Sequence, residues 1–157
     1  MKKTALILCI ILGTLGGLLT TLITSFVFGI FGGHLSAYDT PEWALLLSLE
    51  AAVMLALCIP IQLLREKLFR KFGIPAPVFI ASVSAVPLVW SIYERARHLY
   101  LVAHDGYNYF MSGLGMGLTE LFTLTWLVSS AAFFAGQVIM ALIFILRRGK
   151  RSKGGAL

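Results

Sequence analysis

Residues 4–31 decide the fold: they read TALILCIILGTLGGLLTTLITSFVFGIF and contain no charged residue. A helix needs about 20 mostly apolar residues to cross the hydrocarbon core of a bilayer. A secretory signal shares the basic start, here Lys2 and Lys3, but its apolar region usually has only about 7–15 residues. The stretch therefore predicts a retained first transmembrane helix, with cleavage as the lesser alternative.

Three further apolar stretches predict an all-α integral membrane protein, a four-transmembrane-helix bundle with short loops. A typical soluble domain has about 25% charged residues, whereas this chain of 157 residues has 13% and is 59% hydrophobic. Helices 3 and 4 are expected to extend at their outer ends. We place the helices at about 4–31, 43–64, 77–103 and 118–146, in one transmembrane domain (1–146) followed by a basic tail (147–157).

The placement of charge predicts the orientation. Most of the 13 Lys and Arg residues fall at the start of the chain, between helices 2 and 3, and in the tail, whereas most of the 7 acidic residues lie elsewhere. Basic residues stay on the cytoplasmic side of a membrane. Both termini are therefore expected to be cytoplasmic, and the short basic start and short loops suit a bacterial inner membrane.

The net charge of +6 bears on the partners that the chain binds. In a soluble protein it would suggest nucleic acid, but here the basic residues flank apolar helices. That arrangement favours contact with anionic lipid head groups and predicts no nucleic-acid partner.

A polar cluster is expected in the outer half of the bundle, because several charged residues should reach a similar depth there. Glu50 interrupts the apolar run LLLSLEAAV, about 10 Å below the outer interface marked by Trp43 at 1.5 Å per helical residue. Charges at this depth are expensive and are usually paired or functional. The candidate binding residues are Glu50, Glu94, Arg95, Arg97, Glu120 and His98.

Three interpretations of this cluster remain open. The glutamates and arginines form an interhelical salt-bridge network that fixes the packing of helices 2, 3 and 4. Alternatively, they form a site open to the outer face that binds an anionic group or passes a proton. In the third interpretation, the arginines extend to lipid phosphates.

Several residue types predict helix packing rather than chemistry. Gly13-x-x-x-Gly17 and Gly29-x-x-x-Gly33 put small residues on one helix face, which allows a second helix to approach closely. Gln137, near the middle of helix 4, is expected to hydrogen-bond a neighbouring helix. Ser129, Ser130, Thr123 and Thr125 are expected to be packing groups in the same helix.

The sequence predicts no cofactor, no metal site and no catalytic residues. His98 and His104 are six residues apart, a poor fit to one helix face, and His34 belongs to another segment. Cys9 and Cys58 form no C-x-x-C pair. The sequence also lacks the common motifs for covalent catalysis.

Three classes of function fit these features. The first is a non-enzymatic protein that acts through helix–helix interactions, as an accessory subunit of a membrane complex or an immunity-type binding protein, with a membrane-protein partner or a second copy. The second is a small transporter or flippase component that works as an oligomer through the outer Glu/Arg site. The third is a membrane enzyme that acts on a lipid at the outer leaflet.

Labelling with a membrane-impermeant thiol reagent tests the predicted topology. Single cysteines at Ser36 and Asn108 should react from outside intact cells, whereas cysteines at Gly73 and Ser152 should react only after the membrane is opened. The native Cys9 and Cys58 lie in apolar runs and should stay silent. Outside reactivity at Gly73 or Ser152 would contradict the orientation.

Overall fold

A computed structural model describes residues 2–32, 40–104 and 112–154. Among these residues all regular structure is helical, and the helices, named in chain order, are α1 (Lys2–Gly32), α2 (Thr40–Phe72), α3 (Ala76–His104) and α4 (Ser112–Gly154). Each contains a segment long and apolar enough to cross a membrane. The predicted all-α class with four potential transmembrane helices is therefore confirmed for the described part of the chain.

Some predicted features lie outside the described residues. They include Gly33, the second glycine of its motif, and His34 in the loop after α1. The labelling positions Ser36 and Asn108 also lie there, as does the end of the basic tail beyond Gly154.

The helices run beyond the predicted apolar segments. α2 continues to Phe72, because the charged stretch after Leu64 contains Leu, Arg, Glu and Lys, which are good helix formers. It ends at Phe72, and the positive φ of 69° at Gly73 suits the residue after a helix. Pro75 and Pro77 then start α3, since proline is favoured in the first helical turn.

A π-helical turn interrupts α3. The chain is α-helical over Ala76–Ile80, π-helical over Ala81–Ala85 and α-helical over Val86–His104. Pro87 follows this turn and has no backbone N–H, so it cannot donate to the carbonyl of Val83 four residues earlier. The turn therefore presents a backbone carbonyl to a neighbouring helix.

That neighbour is α1, which contacts the π-helical turn through Gly13 and Gly17. A methyl group at Gly17 would lie 1.8 Å from the carbonyl oxygen of Val83. One at Gly13 would lie 2.9 Å from Ser82 Oγ. The first predicted glycine motif is therefore a site of close helix approach.

α4 lies at the centre of the bundle and packs against the other three helices. Hydrogen bonds join Glu50 to Ser129 and Gln62 to Gln137, so α2 and α4 run in the same direction. Trp126 Nε1 donates to Thr21 Oγ1 (3.2 Å), and Thr125 Oγ1 donates to the carbonyl of Ser25 (3.3 Å). Because the residue numbers run oppositely in these two bonds, α1 is antiparallel to α4.

The hydrophobic core lies toward one end of the bundle, where all four helices contribute. Its buried members are Met54, Cys58, Ile74, Phe79, Val83 and Phe133. The exposed side chains Lys3, Lys67 and Lys71 lie at this end, which we call the basic end. Gly32, Trp43 and Leu121 pack together toward the opposite end.

Alanine substitutions at adjacent glycines test the contact between α1 and α3. Gly17→Ala should destabilise the fold by about 1–3 kcal/mol, because the methyl group overlaps the Val83 carbonyl and forces the helices apart. Gly16→Ala is the control, since nothing lies within 4 Å of a methyl group there. Thermal unfolding in mild detergent, followed by circular dichroism, measures both. Equal stability of the two variants would contradict the close approach.

Candidate functional site

Glu50 is fully buried between α2 and α4. Ser129 Oγ donates a hydrogen bond to Glu50 Oε1 (2.5 Å). The other carboxyl oxygen, Oε2, is also buried but accepts no hydrogen bond from the described residues. A desolvated carboxyl group with one unused oxygen is costly in an apolar interior.

A second polar contact joins the same two helices nearer the basic end. Gln62 Nε2 donates to Gln137 Oε1 (2.5 Å) and to the Gln137 carbonyl (3.1 Å). Both side chains are fully buried. The expectation that Gln137 bonds a neighbouring helix is therefore confirmed.

The polar contacts between α2 and α4 follow the helix period. Glu50, Cys58 and Gln62 are separated by multiples of four residues and all contact α4, so they lie on the side of α2 that faces it. Cys58 Sγ lies 3.5 Å from the carbonyl of Phe133, between the two stronger contacts. Hydrogen bonds at these positions fix the register of α2 on α4.

Arg95 joins α3 to α4. Its Nη2 lies 3.6 Å from Glu120 Oε1, and its Nη1 donates to the Glu120 carbonyl and to Thr123 Oγ1, both at 3.2 Å. The guanidinium group is largely buried, which strengthens these charge-assisted contacts. The contact is an interhelical ion pair of the kind expected from the sequence.

Arg97 and Glu94 form a pair within α3. Arg97 Nη1 lies 3.5 Å from Glu94 Oε2, three residues earlier, and the arginine side chain is exposed. An exposed pair of this type contributes only about 0.2–0.5 kcal/mol in water. His98, the last of the six candidates, is buried in the same helix.

The six candidate residues are thus distributed over separate contacts. Glu50 bonds Ser129, Arg95 bonds Glu120 and Thr123, and Arg97 pairs with Glu94. Among the described residues, Glu50 forms no ion pair with an arginine. The carboxyl group of Glu50 therefore lies between α2 and α4, whereas the guanidinium group of Arg95 lies between α3 and α4 and that of Arg97 pairs within α3.

Sequence reasoning missed a large groove between α1 and α2. The two helices touch where Gly32 meets Trp43 and Leu46, and they diverge toward the basic end. The space between them has a volume of about 1410 Å³ and is lined mostly by apolar side chains. The position of the groove depends on the relative tilt of two helices. A sequence pattern within one helix does not predict that tilt.

Arg65 is another residue whose environment was not predicted from the sequence. It lies in the basic stretch of α2 but is buried, with its guanidinium carbon 5.8 Å from the centre of the Phe144 ring. A cation over an aromatic face is stabilised by the ring quadrupole. This contact links α2 and α4 at the basic end.

The chain matches no protein-family model, and neither curated proteins nor solved structures give a significant match to it. Its function is accordingly inferred from its own residues and geometry.

A double-mutant cycle at Gln62 and Gln137 tests the buried amide contact. Gln62→Leu and Gln137→Leu should each destabilise the bundle, and the double variant should lose less than the sum of the two. The expected coupling is about 0.6–1.7 kcal/mol, the range for interhelical hydrogen bonds in membranes. Gln62→Leu combined with Glu120→Gln is the control, because Glu120 lies roughly 25 Å from Gln137 along α4. Additivity at both pairs would exclude the contact.

Proposed function

We propose that this chain is a small, non-enzymatic, multi-pass membrane protein that acts through helix–helix interactions with another membrane protein. It would serve as an accessory subunit of a membrane complex or as an immunity-type binding protein. The carrying observation is that α1 has the smallest buried share of the four apolar helices and presents a row of large apolar side chains outward.

α1 has the least buried apolar segment of the four helices. Of its most apolar 18-residue window, 11% is buried, against 17% in α2 and 33% in α3 and in α4. Its small residues Gly13 and Gly17 are already occupied by the contact with α3. Large side chains therefore form most of its remaining surface.

These large side chains include a regular row along the helix. They follow one another at intervals of four residues and are each more than half exposed, and we call them the α1 ridge: Ile7, Ile11, Leu15, Leu19 and Ile23. Rows of this spacing pack into the grooves of a second helix. The ridge is accordingly a candidate docking surface for a partner helix.

The polar contacts support a binding role more than a catalytic one. The amides of Gln62 and Gln137 bond each other, and Arg95 bonds Glu120 and Thr123. Groups engaged in this way hold helices in register. They hold α2 and α3 on α4, the helix against which α1 also packs.

The same proposal includes a location and an orientation. The basic end, with Lys3, Lys67 and Lys71, would face the cytoplasm, so both chain termini would be cytoplasmic. A bacterial inner membrane suits the short basic start and short loops. Membrane lipids would cover the apolar surface that the partner leaves free.

Site-specific photocrosslinking in the native membrane tests the docking surface. A photoreactive amino acid at Leu15 or Leu19 should give one discrete protein adduct, because a partner helix covers the α1 ridge. The same group at Val89 of α3 or Leu142 of α4, both exposed, should give only lipid adducts. An adduct with a second copy would identify a homo-oligomer. Lipid adducts alone at all four positions would contradict the proposal.

Glu50 favours a second candidate function, a transporter or flippase component that works as an oligomer. Its buried oxygen Oε2 lacks a hydrogen-bond partner among the described residues, which leaves a group able to take up and release a proton. Proton flux into proteoliposomes, read with a pH-sensitive dye, distinguishes the two functions. Flux that Glu50→Gln abolishes would favour transport, whereas no flux in either protein would favour the binding role.

A further inference from the structure

We propose that the groove between α1 and α2 binds an anionic phospholipid from the leaflet at the basic end, with an acyl chain in the groove and the phosphate beside Lys71. The inference rests on the membrane insertion proposed above but not on the partner protein. It concerns a different surface from the α1 ridge.

The shape of the groove suits a chain-like ligand. On α1 its lining extends over residues 4–20, roughly 24 Å along the helix axis at 1.5 Å per residue. The hydrocarbon thickness of one leaflet is about half of 30 Å. A whole acyl chain of that leaflet can therefore lie along the groove.

The walls and floor have the chemistry of a hydrocarbon site. Leu8, Leu12 and Gly16 line the α1 side, and Ile61 and Leu64 line the α2 side. The floor is formed by the apolar core residues Phe79, Val83 and Phe133, whose side chains are almost fully covered by the neighbouring helices. Apolar surface of this kind favours a lipid tail over water.

Charge is confined to one end of the groove. Among the described residues of the lining, Lys71 is the only charged side chain, and it lies at the basic end. Lys3 and Lys67 are exposed at the same end of the bundle. An apolar groove that ends in ammonium groups is complementary to an amphiphile with an anionic head.

This distribution favours a lipid over a partner helix. A basic residue near a membrane surface attracts anionic lipid by about 1 kcal/mol, and Lys71 lies at the end of the apolar surface where a phosphate would be. A helix seated in the groove would need an acidic residue at this single position. A phospholipid in this leaflet places its negatively charged phosphate at the membrane depth of Lys71, whichever way the lipid is rotated.

Gly16 provides a variant that fills the groove without breaking the bundle. A methyl group there meets no atom within 4 Å, and the residue belongs to the lining. Gly16→Leu should therefore occupy the space of the acyl chain. Ala56→Leu on α2 is the matched control, because Ala56 is exposed and lies outside the lining.

A second matched pair of variants tests the charge at the basic end of the groove. Lys71→Gln removes the ammonium group of the lining, and Lys67→Gln removes an exposed one that lies outside it. Loss of Lys71 should weaken binding of anionic lipid about fivefold, the effect of one basic residue near an anionic surface. Loss of Lys67 should weaken the binding of anionic lipid by less than half as much.

The test is photocrosslinking of the full chain in proteoliposomes that contain phosphatidylglycerol with a photoreactive acyl chain. Mass spectrometry should place adducts on Leu8 and Leu64, which line the groove from its two sides and are exposed. Gly16→Leu should reduce these adducts by about tenfold, or roughly 1.4 kcal/mol, and Ala56→Leu should leave them unchanged. Phosphatidylcholine with the same chain should label the wild type as weakly as phosphatidylglycerol labels Lys71→Gln.

Two results would overturn the lipid site: adducts only on outward residues such as Ile11, or equal labelling in Gly16→Leu and Ala56→Leu. If Gly16→Leu fails to fold, Leu12→Trp fills the same groove, and the Lys71 and Lys67 pair still decides the charge requirement. Resistance of the reconstituted chain to alkaline extraction reports membrane insertion separately. Extraction of the chain by alkali would count against the proposed membrane location rather than against the lipid site in the groove.

Discussion

The close approach of Gly17 to the carbonyl of Val83 determines where α1 lies, and several surfaces depend on that position. A side chain larger than hydrogen at Gly17 would collide with the backbone of α3. The π-helical turn and Pro87 contribute to this contact, since the proline leaves the Val83 carbonyl without its usual helical donor. With α1 fixed against α3 at this point, its basic end diverges from α2 and opens the groove.

The buried polar groups hold the other helices around α4. Glu50 and Gln62 of α2 bond Ser129 and Gln137, and Arg95 of α3 bonds Glu120. A polar group without a partner is costly where water is excluded, so each contact favours one rotation of its helix over others. Among the buried polar atoms of the described residues that lack a hydrogen-bond partner, Oε2 of Glu50 is the one that belongs to an acidic group.

Much of the architecture was predictable because it depends on local composition. Helix number follows from apolar length, and the start of α3 follows from Pro75 and Pro77. The bonding of Gln137 across helices was also predictable, since an amide in an apolar helix needs a partner. The partner of each charged residue was harder to predict from the sequence. Arg95 pairs with Glu120, but Glu50 bonds a serine rather than an arginine.

The sequence by itself determined the all-helical class, the four apolar segments and the separation of basic from acidic residues. Each of these depends only on residues that are neighbours along the chain. The tertiary structure decided that Gly17 and not Gly16 meets another backbone, that Glu50 faces Ser129, and that a groove lies between α1 and α2. The physical reason is that apolar helix faces look alike in sequence, whereas their rotation and tilt are set by contacts between residues far apart in the chain.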